Sequence, residues 1–318
     1  MKTYGLMTAI VGLSLMANCG YAQQNYPTKS IRLIVPFPPG GQTDVVARTL
    51  TQKLSEAFRQ TVVVDNRPGA AGSIGTDMAV KAPSDGYTIV LVSTSYTANV
   101  ALYKLPYDPI NDIVPIVMIG EIGNMVTINR SGPFNSVKEL IAYAKANPGK
   151  INYASGGTGS GNHLATEHFS QMAGIRMTHV PYKGSTGGVT DLMSGEIQLI
   201  FSGLTGMIPH HKANRVRGIA VTSAKRNNAV PDLPTVGETL PGYESVSWAA
   251  LLGPKGLPKE IAARWNAEIN RILKMPDVKA SMEASGLEPV GGTQAHVREV
   301  LIQDIAKWKT VVKAANIQ

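Results

Sequence analysis

The chain has 318 residues, 30 Lys+Arg against 22 Asp+Glu (net +8), 43% hydrophobic residues and a single Cys. The length suggests about two globular domains, and the apolar content excludes a disordered or collagenous chain. One cysteine excludes a disulfide scaffold or a Cys-based zinc cluster, and 6% aromatics with dispersed positive charge argue against a nucleic-acid surface.

The first predicted element is a leader. Lys2 gives a positive start, residues 6–16 are mostly apolar, and Gly20-Tyr21-Ala22 offers small residues where a signal peptidase reads. This predicts a secretory signal peptide cut after Ala22, because the apolar run is too short to span a bilayer. The rival is a lipoprotein leader lipidated on Cys19, against which stands Asn18 where a lipobox carries Gly, Ala or Ser. Cleavage removes Lys2 and the only cysteine, leaving no thiol for an oxidising compartment to attack. No later segment reaches the run of about 18 apolar residues that a membrane span needs, so a soluble processed chain is expected.

After a short tail at 23–29, residues 31–37 read as a buried strand stopped by Pro38-Pro39-Gly40-Gly41, with Thr43 or Asp44 placed to cap the following helix. Val46, Leu50, Leu54 and Phe58 share one face of that helix. A strand at 61–65, a turn at Arg67-Pro68-Gly69, a helix at 73–81 and a strand at 88–92 opening into Ser93-Thr94-Ser95 continue the alternation. It predicts an α/β domain with a mostly parallel sheet. A second series follows, opening on a long strand-like stretch, 114–119 continuing to 125–128 through Gly120 and Gly123. A capping box at Ser136-Val137-Lys138-Glu139 opens a helix that ends at Asn147-Pro148-Gly149. Next come a strand at 151–154, a glycine-rich loop at 155–161, helices at 163–172 and near 188–193, and strands at 177–180, 198–202 and 218–222. From Val246 there is a strand at 247–252 and then three helices. Two apolar stripes mark them, Ile261, Trp265, Ile269 and Ile272, then Val297, Leu301, Ile305, Trp308 and Val312. The economical architecture is two lobes, with 124–245 inserted into 23–123 and 246–318, joined by extended crossovers near 120–125 and 243–248.

Two glycine-rich turns carry the chemical signal. One contains Phe37, Pro39, Gly40, Gly41, Thr43 and Asp44; the other contains Ser155, Gly156, Gly157, Thr158, Gly159, Ser160 and His163. A bare strand-to-helix turn presents backbone N–H groups and a helix N-terminus, which attract an anion. One in each lobe, at corresponding positions, predicts a ligand cleft between the lobes. Neither matches a P-loop or a dinucleotide fingerprint, and their hydroxyls suit a carboxylate or its waters. Catalytic constellations do not assemble: there is no G-x-S-x-G, and His163 and His168 are five apart, off the spacing for zinc. His163 is read as orienting its loop or touching ligand, His210-His211 as a solvated turn, and Asp44 as a cap or the partner of a ligand amine. Tyr182, Lys183 and Gly184 form a third turn on the same edge, where Lys183 is either the partner of a distal anion or a surface lysine.

These segments carry a resemblance. The stretch Tyr26-Pro27-Thr28-Lys29-Ser30-Ile31-Arg32-Leu33-Ile34-Val35-Pro36-Phe37-Pro38-Pro39-Gly40-Gly41, the run from Asp65-Asn66-Arg67-Pro68-Gly69 to Ile74-Gly75, Pro83-Ser84-Asp85-Gly86-Tyr87-Thr88 and Val180-Pro181-Tyr182-Lys183-Gly184 together resemble the Bug receptors. These are the periplasmic substrate-binding proteins of tripartite tricarboxylate transporters. The resemblance runs from about residue 26 to the C-terminus. It implies a two-lobed, type II-like Venus flytrap without enzyme activity, cofactor or metal, monomeric, handing its ligand to membrane permease subunits. It also implies a small carboxylate held between the two turns by backbone N–H groups and ordered waters, with a variable side pocket from Ser93, Thr94 and Ser95, from Tyr182 to Ser185, and from Ser202 and Gly203. Gln42, where the family has proline or alanine, and Asn162, with Glu167-His168, depart from its pattern.

Two other functions compete with capture for transport. A ligand sensor signalling to a membrane kinase would present the same lobes. A periplasmic hydrolase would use Ser155 or Ser160 with His163, against which the missing nucleophile elbow counts. Amino acids, citrate-like acids, linear dicarboxylates and aromatic carboxylates all satisfy the anion logic, and the positive charge leans towards a diacid.

Overall fold

The computed structural model describes residues 26–182 and 184–314. The predicted leader with Cys19 and its cut after Ala22, and Lys183, lie outside them. In chain order the regular elements are β1 (Ile31–Val35), α1 (Gln42–Phe58), β2 (Val62–Asn66), α2 (Ser73–Val80), β3 (Thr88–Ser93), α3 (Ser95–Leu102) and β4 (Ile113–Ile128). There follow α4 (Val137–Ala146), β5 (Asn152–Ser155), α5 (Gly161–Ala173), β6 (Thr178–Pro181), α6 (Ser185–Ser194), β7 (Leu199–Gly203), α7 (Leu204–Lys212) and β8 (Arg217–Val221). The chain closes with β9 (Val246–Pro254), α8 (Lys259–Ile272), α9 (Pro276–Ala284), β10 (Leu287–Gly291) and α10 (Gln294–Ala314). No described helix is long and apolar enough to cross a membrane.

The strands form two sheets that share β4. The first runs β2-β1-β3-β9-β4-β10 and the second β8-β4-β7-β5-β6. Only β2-β1-β3 and β7-β5-β6 are parallel. Both sheets are therefore mixed, not mostly parallel, because the chain leaves the first lobe along β4 and returns along β9 antiparallel to it. The transfer is sharp. Gly123 pairs with Val246 in the first sheet, and Asn124 pairs with Gly203 in the second. β4 is one continuous strand of 16 residues that runs through both glycines, as expected. They serve close approach: a Cβ on Gly120 would sit 2.5 Å from the Glu288 carbonyl oxygen, and one on Gly123 would sit 3.2 Å from Ser223 Oγ.

The apolar periodicities find their core. Val46, Leu50, Leu54 and Phe58 of α1 and Ile261, Trp265, Ile269 and Ile272 of α8 are all buried in one cluster beneath the first sheet. Tyr26, expected in a loose tail, joins it: its hydroxyl donates to the Gly86 carbonyl (2.6 Å) and accepts from Trp265 Nε1 (2.8 Å). On α10, Val297, Leu301, Trp308 and Val312 are buried. Asp304 Oδ2 ties that helix to β9 and α3 by accepting from Trp248 Nε1 (2.8 Å), Trp308 Nε1 (3.1 Å) and the Thr97 hydroxyl (2.9 Å). Leu164 of α5 packs with Ala98, Trp308, Val311 and Val312, so apolar contact crosses between the lobes.

Candidate functional site

The first turn leaves β1 and bends at Gly40, whose φ of +77° favours glycine. The N–H of Gly40 donates to Asp44 Oδ2 at 2.9 Å. Gly41 is the N-cap of α1, so Thr43 and Asp44 lie inside the first turn and neither caps it. Asp44 also accepts from Arg48 Nε (2.9 Å) and from Asn66 Nδ2 (2.9 Å). Burial raises its pKa, but the bonds from Arg48, Gly40 and Asn66 outweigh that and hold the carboxyl below its usual range. With those partners, and off the cavity wall, Asp44 is an anchor for the turn. It is not among the residues lining either space of the cleft, so the geometry gives no support to a role as a base or as the partner of a ligand amine.

In the second turn Gly157 and Gly159 adopt φ of +117° and +77°. Its N–H groups are used locally: Gly156 donates to Asn162 Oδ1 (3.2 Å), Gly157 to Ser155 Oγ (3.1 Å), Gly159 to His163 Nδ1 (3.1 Å) and Ser160 to the Gly157 carbonyl (3.1 Å). Behind the turn Tyr153, His179 and His163 stack in a column, with ring centroids 5.0 and 3.9 Å apart. Burial pushes His179 down to about 4 and, with His179 adding to it, His163 down to about 3. His163 therefore acts on the loop through Gly159 and does not line the cavity. Ser155 is fully buried, with Oγ 2.6 Å from Nε2 of His179 and not paired with His163. The pairing considered for a hydrolase is absent from these described residues.

The two turns meet at an inner cavity of about 180 Å³ lined by Phe37, Gly41, Gln42, Thr43, Ala71, Ser93, Thr94, Ser95, Asn124, Gly156, Ser160, Gly161, Asn162, Gly184, Gly203 and Ser247. An outer groove of about 430 Å³ adjoins it, with walls that include Pro39, Gly40, Val189, Met193, Ser202, Thr205, Met207 and His210. Gln42 lines both, and a Cβ on Gly203 across the cleft would lie 2.4 Å from its Oε1. Gly41, Gly184 and Gly203 line both as well, so the Gln42 carboxamide is the side chain at the boundary between the two spaces.

Five helices begin at this inner cavity. Their N-cap residues are Gly41 for α1, Thr94 for α3, Ser160 for α5, Gly184 for α6 and Gly203 for α7, and none provides a side-chain cap. All five residues line the cavity. First-turn N–H groups have no intrahelical acceptor, so donors and positive dipole ends converge there. No Lys, Arg, Asp or Glu is among the described lining residues. The backbone donors available to an anion are therefore in the helix first turns, one step beyond the turn glycines, whose own N–H groups are engaged in shaping the turns.

Of the residues expected to touch ligand, Phe37, Gly41, Thr43, Ser93, Thr94, Gly156, Ser160, Gly184 and Gly203 line the inner cavity, and Pro39, Gly40 and Ser202 the outer groove. Asp44, Ser155, Gly157, Thr158, Gly159, His163 and Tyr182 line neither; the Tyr182 hydroxyl donates to Asp191 Oδ2 (2.5 Å) on α6. His210 and His211 belong to the last turn of α7, not to a solvated turn. Sequence reasoning missed Asn124, Ser247 and Ala71, and the helices α3 and α7. The only local signal was a polar residue interrupting an apolar run at Asn124.

Comparison with known proteins agrees with this architecture. Residues 46–317 match the family described as tripartite tricarboxylate transporter family receptor. Protein BugT of Bordetella pertussis is 35% identical over 315 residues, covering 96% of each chain. Among solved structures, R. palustris Rpa4515 with adipate superposes with a TM-score of 0.88 at 37% identity, over 92% of this chain and 99% of that one. Periplasmic binding protein BugD gives 0.85 at 31%, over 92% and 99%. MatC from Rhodopseudomonas palustris with bound malate gives 0.83 at 26%, over 90% and 100%. The chain belongs to the tripartite tricarboxylate transporter receptor family, and it is a two-lobed binding receptor, not an enzyme.

Proposed function

We propose that the inner cavity captures a small organic acid through its carboxylate, and that the two lobes close on it and deliver it to the membrane permease subunits of a tripartite tricarboxylate transporter. The lobes are 23–123 with 246–318, and 124–245, hinged where β4 changes sheets and where β9 begins. The observation that carries the reading is the convergence of five helix N-termini, none with a side-chain cap, on one cavity with no charged side chain among its described lining residues. Helix N-termini satisfy an anion with fixed dipoles and N–H groups, and charge-assisted hydrogen bonds contribute about 1.5–3 kcal/mol each. An inner cavity of about 180 Å³ suits a short acid. Relatives seen with adipate and malate support that size class. No acidic side chain is among the described residues lining either space, so they offer an ammonium no charged partner, which favours acids without an amine over amino acids. Export follows from a leader cut after Ala22.

Calorimetry and thermal shift against mono-, di- and tricarboxylates test this. A ligand at about 100 times its Kd stabilises by about 2.7 kcal/mol, and its neutral amide should bind far more weakly. A protein that binds the amide as well as the acid would refute the reading.

A further inference from the structure

We propose that Asn124 and Asn162 grip the ligand carboxylate directly, each through a carboxamide N–H group that the protein leaves without a partner. The inference rests on the inner cavity being the ligand site. Asn124 is 3% and Asn162 9% exposed, and both line that cavity. Among the described residues a few buried side-chain polar atoms lack any hydrogen bond; the two belonging to cavity-lining residues of the inner site are Asn124 Nδ2 and Asn162 Nδ2. Buried donors without an acceptor are rare in native proteins and call for an explanation. A ligand oxygen supplies it.

Asn162 is held so that this donor is on offer, and Asn124 is fixed in place by its backbone. Asn162 Oδ1 accepts from the Gly156 N–H (3.2 Å) and faces the Ser160 hydroxyl (2.7 Å), which fixes the amide with Nδ2 turned away from the loop. Asn124 is pinned by its backbone: its N–H donates to Thr222 Oγ1 (2.7 Å), and its carbonyl accepts from the Thr222 N–H (2.9 Å). The Thr222 hydroxyl in turn donates to the Ser245 carbonyl (2.5 Å), immediately before β9. Asn124 thus stands at the residue where β4 changes sheets, tied to the returning crossover, while Asn162 rides on the first turn of α5 in the second lobe. A carboxylate bonded to both is held to the hinge and to a lobe by neutral donors. This geometry favours an ionised carboxylate, which only accepts hydrogen bonds, over groups that donate.

The test is calorimetry of the exported chain with succinate, malate and adipate, on the unaltered protein and on Asn124→Asp, Asn162→Asp, Asn124→Ala and Asn162→Ala. Asn162→Asp keeps the oxygen that accepts from Gly156 and replaces only the donor. Each Ala variant should bind about 10- to 150-fold more weakly, the worth of one charge-assisted hydrogen bond, and each Asp variant more weakly still through like-charge repulsion. In the unaltered protein the ¹⁵N side-chain NH₂ signals of both residues should move with saturation, a readout that needs no variant to fold. Unaltered protein that binds a diacid, with Asp variants binding equally well or NH₂ signals unmoved, overturns the inference and leaves the cavity reading intact. Unaltered protein that binds no carboxylate overturns both.

Discussion

Gly159 offers a perturbation that acts on closure more than on folding. Its φ is +77°, and a Cβ there would lie 2.1 Å from Cδ1 of Leu102, which belongs to α3 in the other lobe. The same region carries a hydrogen bond across the cleft, from the Tyr103 hydroxyl to the Thr158 carbonyl at 3.5 Å. In Gly159→Ala the left-handed backbone costs about 1–2 kcal/mol in open and closed forms alike. The clash exists only where the lobes meet, and overpacking of this kind costs about 1–3 kcal/mol. Only the second cost reaches the binding constant, so Kd should rise about 5- to 140-fold at about 1.4 kcal/mol per decade, while the ligand-free melting temperature records the first. Leu102→Ala removes the obstacle, and the double variant should recover most of the affinity without recovering the melting temperature. Calorimetry and scattering on the two single variants and the double variant complete a mutant cycle. Equal Kd for Gly159→Ala with and without Leu102 would refute the cross-cleft argument.

Other outcomes are expected from the same geometry. Asp44→Asn replaces an acceptor-only group at the centre of the first turn and should cost about 1.5–3 kcal/mol, with a melting deficit that shrinks in acid because the native carboxylate is held below its usual range; an unchanged melting profile would contradict its anchoring role. Gln42→Ala removes the side chain at the boundary between inner cavity and outer groove, so calorimetry should show short diacids losing affinity relative to longer ones, and an unchanged ratio would refute that role. Unfolded histidine titrates near ~6.5, whereas His163 and His179 fall to about 3 and about 4 in the fold. Their contribution to stability is therefore complete above about 6.5 and is lost as pH falls from there towards 4. His168 and His211 shift in the same direction, so a His163→Gln, His179→Gln pair should flatten the acid limb of a melting profile in part; an unaltered limb would count against the buried column.

The parts that depend only on neighbours along the chain were legible from residue order alone. The four-residue spacing of Val46, Leu50, Leu54 and Phe58, and of Ile261, Trp265 and Ile269, requires amphipathic helices, and those side chains are buried as the spacing demands. The two glycine turns, and with them the family, were equally legible, because a strand-to-helix turn is a local arrangement whose residues lie within a few positions. Which groups face the cavity follows only from tertiary packing. Whether Gly156 offers its N–H outward depends on Asn162 taking it, and whether Ser155 is free depends on His179 on the neighbouring strand β6. The polar Asn124 looks like a flaw in an apolar run until β4 is seen to change sheets there, which turns one residue of a strand into a wall of the cavity. Ser247 reaches the same wall from the returning crossover. Hydrophobic periodicity records which face of an element is buried, whereas a cavity is defined by the ends of elements brought together by sheet pairing across more than a hundred residues, and that pairing leaves no periodic trace in the sequence.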